Sequence, residues 1–435
     1  MDSLIDIDRR HVWHPFTQEA TAPEPIPILS ASGAVLHGVD GKEYLDLISS
    51  WWLTTHGHAH PVIAEAIARQ AKKLEQVIFA GFTHEPAVNL ASQLVAILPR
   101  ELTRVFFSDN GSTAVEVALK MARQFYLNKG ESREKFLAFD GGYHGDTVGA
   151  MSMGATTGFF EPFRPMLFSV DTIPFPETWQ DDQEVEKKER ESLEALDRYL
   201  DENRKDCAGV LIEPLVQGAS GMRICRDGFL QKFAERVQRA GVLLICDEVM
   251  TGFGRTGAMF ASEKAKINPD IICLSKGLTG GFMPLSVTVC TNTIYEGFLG
   301  ASFDRAFAHG HSFTANSLSC AAALASLSLF KTENTFTKIS KIEKIHQERI
   351  APLSDSKKIT KPRVKGVIAA LDFVTNDPGY SSKLAPLLKE FFIKRGLLIR
   401  PLGNVLYLLP PYCISDSDLN RAWDGIDAAL QEIDF

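Results

Sequence analysis

Short uninterrupted apolar runs alternate along this chain with segments in which apolar residues return every third or fourth position. Runs at 105–107, 136–139, 209–216, 242–246 and 271–274 are rich in Val, Ile, Leu and Phe. They are too short for helices and predict strands buried on both faces of a parallel sheet. Helical spacing predicts helices over 61–76, after the turn at 109–113, over 320–330, from about 331 onward, and at the end of the chain. Alternation across 34–46, broken by Asp40-Gly41, predicts a hairpin or meander. Further strands are expected at 285–290, 366–373 and 397–400. The stretch 177–206 is dominated by Glu, Lys, Arg and Leu and reads as a solvated surface helix. The sum is an α/β protein with a large domain over 61–330, flanked by segments 1–60 and 331–435, the latter of α+β character.

Composition narrows the function. The chain has 435 residues, 45% hydrophobic and 23% charged, which is ample for a large core. Its net charge of -8, with no basic block, argues against nucleic acid or an anionic membrane as partner. No run approaches the ~18 apolar residues of a membrane helix, and residues 1–16 lack an apolar signal core. Seven cysteines, none in C-x-x-C spacing, predict buried thiols in a reducing, cytoplasmic setting, with neither disulfides nor zinc.

The candidate chemistry lies just past the ends of the predicted strands, the edge at which open α/β sheets bind ligands. Asp247 follows one apolar run and Lys276 another. Together they suit pyridoxal phosphate: the amine forms a Schiff base with the aldehyde, and the carboxylate keeps the pyridine nitrogen protonated. Glu213 reaches the same edge. Asp109-Asn-Gly-Ser-Thr113 opens a helix, and there Gly111 allows close backbone approach to a phosphate while Ser112 adds a hydroxyl; an ordinary N-cap has the same composition. Tyr143 and His144, between glycines, can stack on a planar ring. Trp51 and Trp52, if extended, point to opposite faces, one into the core and one into a cleft. Arg400 can clamp a carboxylate, and Ser312 offers another hydroxyl. Two further patterns compete. His56, His58 and His60 alternate as zinc ligands can, yet Gly57 and Pro61 favour a loop entering a helix, and no metal is expected. Gly252-Phe-Gly-Arg-Thr-Gly257 matches G-x-G-x-x-G, which would mean a nicotinamide oxidoreductase, but no clean helix follows it.

With those residues in order, the chain resembles the class III aminotransferases of the type I pyridoxal-phosphate fold over nearly its whole length, the charged stretch 177–206 excepted. Asp109-Asn-Gly-Ser, Gly142-Tyr-His-Gly-Asp-Thr, Ser275-Lys-Gly and above all Asp247-Glu-Val-Met-Thr-Gly-Phe-Gly-Arg-Thr-Gly carry the resemblance. His11-Val-Trp-His-Pro-Phe-Thr, Ser49-Ser-Trp-Trp and Ile399-Arg-Pro-Leu-Gly bring it closer to the biotin-pathway branch of the family. The resemblance implies a mostly parallel seven-stranded sheet and a small α+β domain built from both chain ends. It implies Lys276, Asp247 and Tyr143 as catalytic residues. Gly111, Ser112, Tyr143, Glu213, Asp247, Lys276, His311 and Ser312 would surround the cofactor. Phe16, Trp51, Tyr143, Lys276, Gly310 and Arg400 would contact substrate. Gly310, His311 and Ser312 would enter from the partner of a homodimer. The implied reaction aminates 8-amino-7-oxononanoate with S-adenosylmethionine as donor; lysine as donor, or another ω-amine substrate pair, are the alternatives. Three positions depart from the branch: Phe16 where many members have Tyr, His311 for Pro and Ser312 for Thr. Ser312 keeps the hydroxyl, whereas Phe16 loses one that bears on the donor.

Overall fold

The computed structural model describes residues 3–154 and 160–433. At its centre is a seven-stranded sheet in the order Leu102–Ser108, Ser286–Thr291, Ile271–Leu274, Leu243–Asp247, Cys207–Ile212, Lys135–Phe139, Asp171–Ile173. Ser286–Thr291 runs antiparallel to both neighbours and the other pairs are parallel. The apolar runs of the central strands are unbroken because those strands are covered on both faces. Leu243, Ile245 and Ile271 face the helix Gly111–Asn128, while Leu244, Cys246 and Ile272 share a second core with Phe229 and Phe233 of the helix Asp227–Arg239.

The chain ends meet beside this sheet. Ile28–Ser32, Val35–Gly38 and Glu43–Asp46 form an antiparallel meander, turning at Gly41 with φ 79°. Leu397–Leu398 completes it, parallel to Glu43–Asp46. A three-stranded antiparallel sheet, Ile359–Lys365, Ile368–Phe373 and Val405–Leu408, follows. Sequence reading missed the first and last of these strands.

Other expectations need correction. The strand expected over 209–216 ends at Ile212, and Val216–Gln217 pairs separately with Arg223–Ile224. The helix expected over 61–76 is Pro61–Ala71. The helix expected over 320–330 is Ser317–Thr332, and the one expected from about 331 starts later, as Thr335–Ile350, after Asn334 at φ 50°. The charged stretch yields the helix Val185–Asn203, but it is not solvated all round. Leu193, Leu196 and Leu200 are buried, and the buried Glu189 takes a bidentate ion pair from Arg226. Trp51 and Trp52 are not extended. They end a kinked turn in which Ser49, Ser50 and Trp52 all have positive φ, conformations that cost non-glycine residues energy.

Candidate active site

A cavity of about 630 Å³ opens at the carboxyl edge of the large sheet, where the chain-end elements lean over it. Its inner half is built from strand ends. Asp247 closes the strand Leu243–Asp247 in register with Cys273, three residues before Lys276, so the two side chains share one edge. Asp247 is 4% exposed. Its Oδ2 lies 2.7 Å from His144 Nδ1, and its Oδ1 accepts from the Val249 amide at 3.1 Å. Each carboxylate oxygen retains a lone pair for a further donor. Glu213 accepts from the amides of Tyr143 and Gly218, both at 3.0 Å, and burial pushes its carboxyl up to about 7.

Lys276 starts the turn Lys276–Thr279 at φ 46°. Its Nζ lies 4.8 Å from the Trp52 ring centroid. Burial brings the amine down to about 8, partly opposed by the charges of Asp247 and Glu213. A sizeable neutral fraction therefore exists near neutral pH, the condition for a nucleophilic amine.

The anion end is the start of Gly111–Asn128. Asn110 caps it, its side chain accepting from Thr113 N at 3.1 Å, and the Asp109 carboxylate accepts from Thr113 Oγ1 at 2.8 Å. The first-turn amides of Gly111 and Ser112 lack intrahelical acceptors and face the cavity with the positive end of the helix dipole. Space there is tight. A Cβ on Gly111 would stand 2.7 Å from Val249 Cγ1, and one on Gly145 would overlap Ser112. Ser112 Oγ accepts from the Asp146 amide at 3.2 Å, and Asp146 Oδ2 accepts from Tyr143 OH at 3.0 Å. Burial and that carboxylate raise the Tyr143 phenol well above its usual range. A buried carboxylate, a cavity-facing amine, a helix N-terminus and an aromatic residue thus line one space, a donor set that fits pyridoxal phosphate.

The outer half comes from the chain ends. The Arg400 guanidinium lies 3.9 Å from the Trp51 ring and 5.9 Å from Phe16, and those two rings meet edge-on at 5.6 Å. Trp52 is 5% exposed and donates Nε1–H to Tyr407 OH at 2.9 Å, so both tryptophans reach the cavity from the same side of the fold. Their strained turn is held from behind. The fully buried Arg255 donates to Ser49 Oγ and to the carbonyls of Trp52, Thr54 and Pro410, at 3.1–3.3 Å. That role explains 252–257. The segment is a packed loop, Gly254 at φ 97° beneath Ile339 and Tyr412, and it opens no helix that could hold a dinucleotide.

Not every expected residue converges. Gly310, His311 and Ser312 lie outside this cavity, on the segment before Ser317–Thr332, where Gln76 Nε2 donates to Ser312 O at 3.2 Å. The three alternate histidines diverge: His58 pairs with Asp46 and His60 with Glu333, each at 2.8 Å, and His56 is buried against Phe330. Among the described residues no cluster of His, Cys, Asp and Glu is arranged to hold a metal. Sequence reasoning missed the pairing of His144 with Asp247, the platform of Trp52 under Lys276, and Tyr380. Only His144 carried a signal, its place beside Tyr143 in a glycine-flanked strand end.

The profile of the family described as Aminotransferase class-III matches residues 17–430. An adenosylmethionine-8-amino-7-oxononanoate aminotransferase from Synechococcus elongatus is 55% identical, over 97% of this chain and 99% of that one. The crystal structure of the enzyme of that name from Methanocaldococcus jannaschii superposes with a TM-score of 0.92 at 34% identity, covering 99% of both chains. A PLP-bound amine transaminase from an uncultivated Pseudomonas species gives 0.91 at 29% identity, over 97% of this chain and 98% of that one.

Proposed function

The chain belongs to the class III aminotransferases, and from that premise we propose that it moves an amino group from S-adenosylmethionine to 8-amino-7-oxononanoate, yielding 7,8-diaminononanoate for biotin synthesis. The observation that carries this reading is full-length identity to relatives of that name, joined to a cavity with reactive groups at one end and an uncommitted guanidinium at the other.

The residues divide the work. Bound pyridoxal 5'-phosphate supplies the electron sink that lets a proton leave the carbon bearing the amine. Asp247, steadied by His144, holds the proton on the pyridine nitrogen. Gly111 and Ser112 take the phosphate at the helix N-terminus. Tyr143 covers a ring face and reaches substrate, and Glu213 fixes the backbone of Tyr143. Lys276 Nζ would hold the cofactor by its aldehyde and, as a free amine, would move the proton off the donor carbon and onto the acceptor carbon. Trp51 and Phe16 line the aliphatic chain, and Arg400 receives its carboxylate.

A homodimer is part of this reading, with Gly310, His311 and Ser312 of a second copy completing the phosphate site. Phe82, Phe303 and Phe313, each more than half exposed (61%, 79% and 64%), support it as side chains an interface would cover. A cytoplasmic setting is supported by seven free cysteines. No described helix is long and apolar enough to cross a membrane.

Lysine is the second candidate donor, because Phe16 offers no hydroxyl at the cavity mouth. The experiment adds each donor to cofactor-loaded protein without keto acid and follows the visible cofactor band. S-adenosylmethionine should bleach it while lysine leaves it. Bleaching by lysine alone reverses the donor assignment, and a band that neither donor changes removes both.

A further inference from the structure

We propose that Tyr380 is a second recognition group for the substrate's remote carboxylate, its phenol donating to the same anion that Arg400 receives. The proposal deepens the function above and rests on it for the identity of the substrate.

Three observations carry it. First, Arg400 is a cation without an anion. Its guanidinium stacks on Trp51 and Phe16, and among the described residues no carboxylate or carbonyl accepts from it. A cation held flat against an aromatic ring, at the wall of a cavity, presents its N–H edge to whatever enters. Second, Tyr380 lines the same cavity and is 45% exposed, so a substrate entering there meets it.

Third, the segment carrying Tyr380 is fixed to the turn carrying Arg400. Gly403 has φ 64°, and a Cβ there would collide with the Gly379 carbonyl and lie 2.8 Å from Tyr380 Cα. The Gly379 amide donates to Asn404 Oδ1 at 2.9 Å, and Asn404 Nδ2 donates to Phe373 O at 2.9 Å. Asp377 closes the segment from within, accepting from Thr375 Oγ1 at 2.7 Å and Lys383 N at 3.0 Å. A phenol and a guanidinium on two segments tied together at Gly379 and Gly403 form a site set in advance, which is what makes two hydrogen bonds to one carboxylate worth more than one.

The test compares 8-amino-7-oxononanoate with its carboxamide analogue, in wild-type protein, Tyr380→Phe and Gly403→Ala, all loaded with pyridoxal phosphate. Binding of nonanoate, a plain long-chain carboxylate, is measured alongside by calorimetry. Tyr380→Phe should raise KM for the acid, and Kd for nonanoate, roughly tenfold, by more than any fall in kcat, and raise KM for the amide, whose oxygen accepts only a neutral hydrogen bond, by clearly less. Gly403→Ala, which forces the 379–380 backbone off the turn, should erase the same preference. An unchanged KM and Kd for the acids in Tyr380→Phe overturns the proposal, as does an equal rise for acid and amide, which would mean lost packing. If wild-type protein does not aminate the keto acid, the assigned substrate falls, and the nonanoate titration still decides the role of Tyr380.

Discussion

The inner and outer halves of the cavity are made of different kinds of residue, held in opposite ways. Inside, Asp247, Glu213 and His144 lie at or just past the ends of buried strands, and each is held by hydrogen bonds from the protein. Outside, Phe16, Trp51, Tyr380 and Arg400 come from loops at the two chain ends, and the only cation among them spends its contacts on aromatic faces. Groups that must hold a proton at one atom gain from an environment that fixes them and shifts their pKa. Groups that must accept substrates of different shape gain from unfilled donors. Inner substitutions should therefore act on kcat, and outer ones on KM.

Lys276→Ala is the sharpest test of the inner half. Turnover should fall by roughly a thousandfold or more, with KM little altered, in steady-state assays of the full reaction. Near-normal turnover would end the assignment. Asp247→Asn should still load the cofactor yet lower kcat by roughly a hundredfold or more, because the ring nitrogen loses the carboxylate that keeps it protonated. Arg400→Met should raise KM for the keto acid by roughly tenfold to a hundredfold and leave the donor half-reaction near normal, since one charged hydrogen-bonding partner is lost. A large fall in its kcat would break the division between the halves. The gentlest effect is on pH. Because burial lowers the Lys276 amine to about 8, cofactor capture by the apoprotein should rise with pH through about 8 and level off above it, followed by stopped-flow absorbance. Since Asp247 raises that value, Asp247→Asn should shift the midpoint downward.

Legibility followed the same division. The strands bearing Asp247 and Lys276 could be read because burial on both faces leaves no polar residue to interrupt the run. Ile359–Lys365 could not, since it alternates lysine, proline and arginine and shifts register where Lys361 sits at φ 52°. The turn at 49–52 gave no signal either, because serine and tryptophan adopt positive φ only under outside constraint, and the constraint is an arginine more than 200 residues away. His144 meets Asp247 across 103 positions, a pairing that only the parallel sheet creates. The helix Val185–Asn203 could have been read better. Its Glu189, Leu193, Leu196 and Leu200 keep helical spacing, masked by the charges around them.

One bond carries a consequence for how the molecule comes into being. Ser49 donates its hydroxyl to the carbonyl of Leu409 at 2.7 Å, 360 residues later, in the strained turn that presents both tryptophans. A ribosome adding roughly 5–20 residues per second needs from about twenty seconds to over a minute to cover that interval. Before it ends the sheet edge with Asp247 and Lys276 can assemble, while the tryptophan turn still lacks its bond to Leu409. The catalytic groups are born early and the wall that selects their substrate closes last, so translation itself sets the moment at which the enzyme can begin to choose.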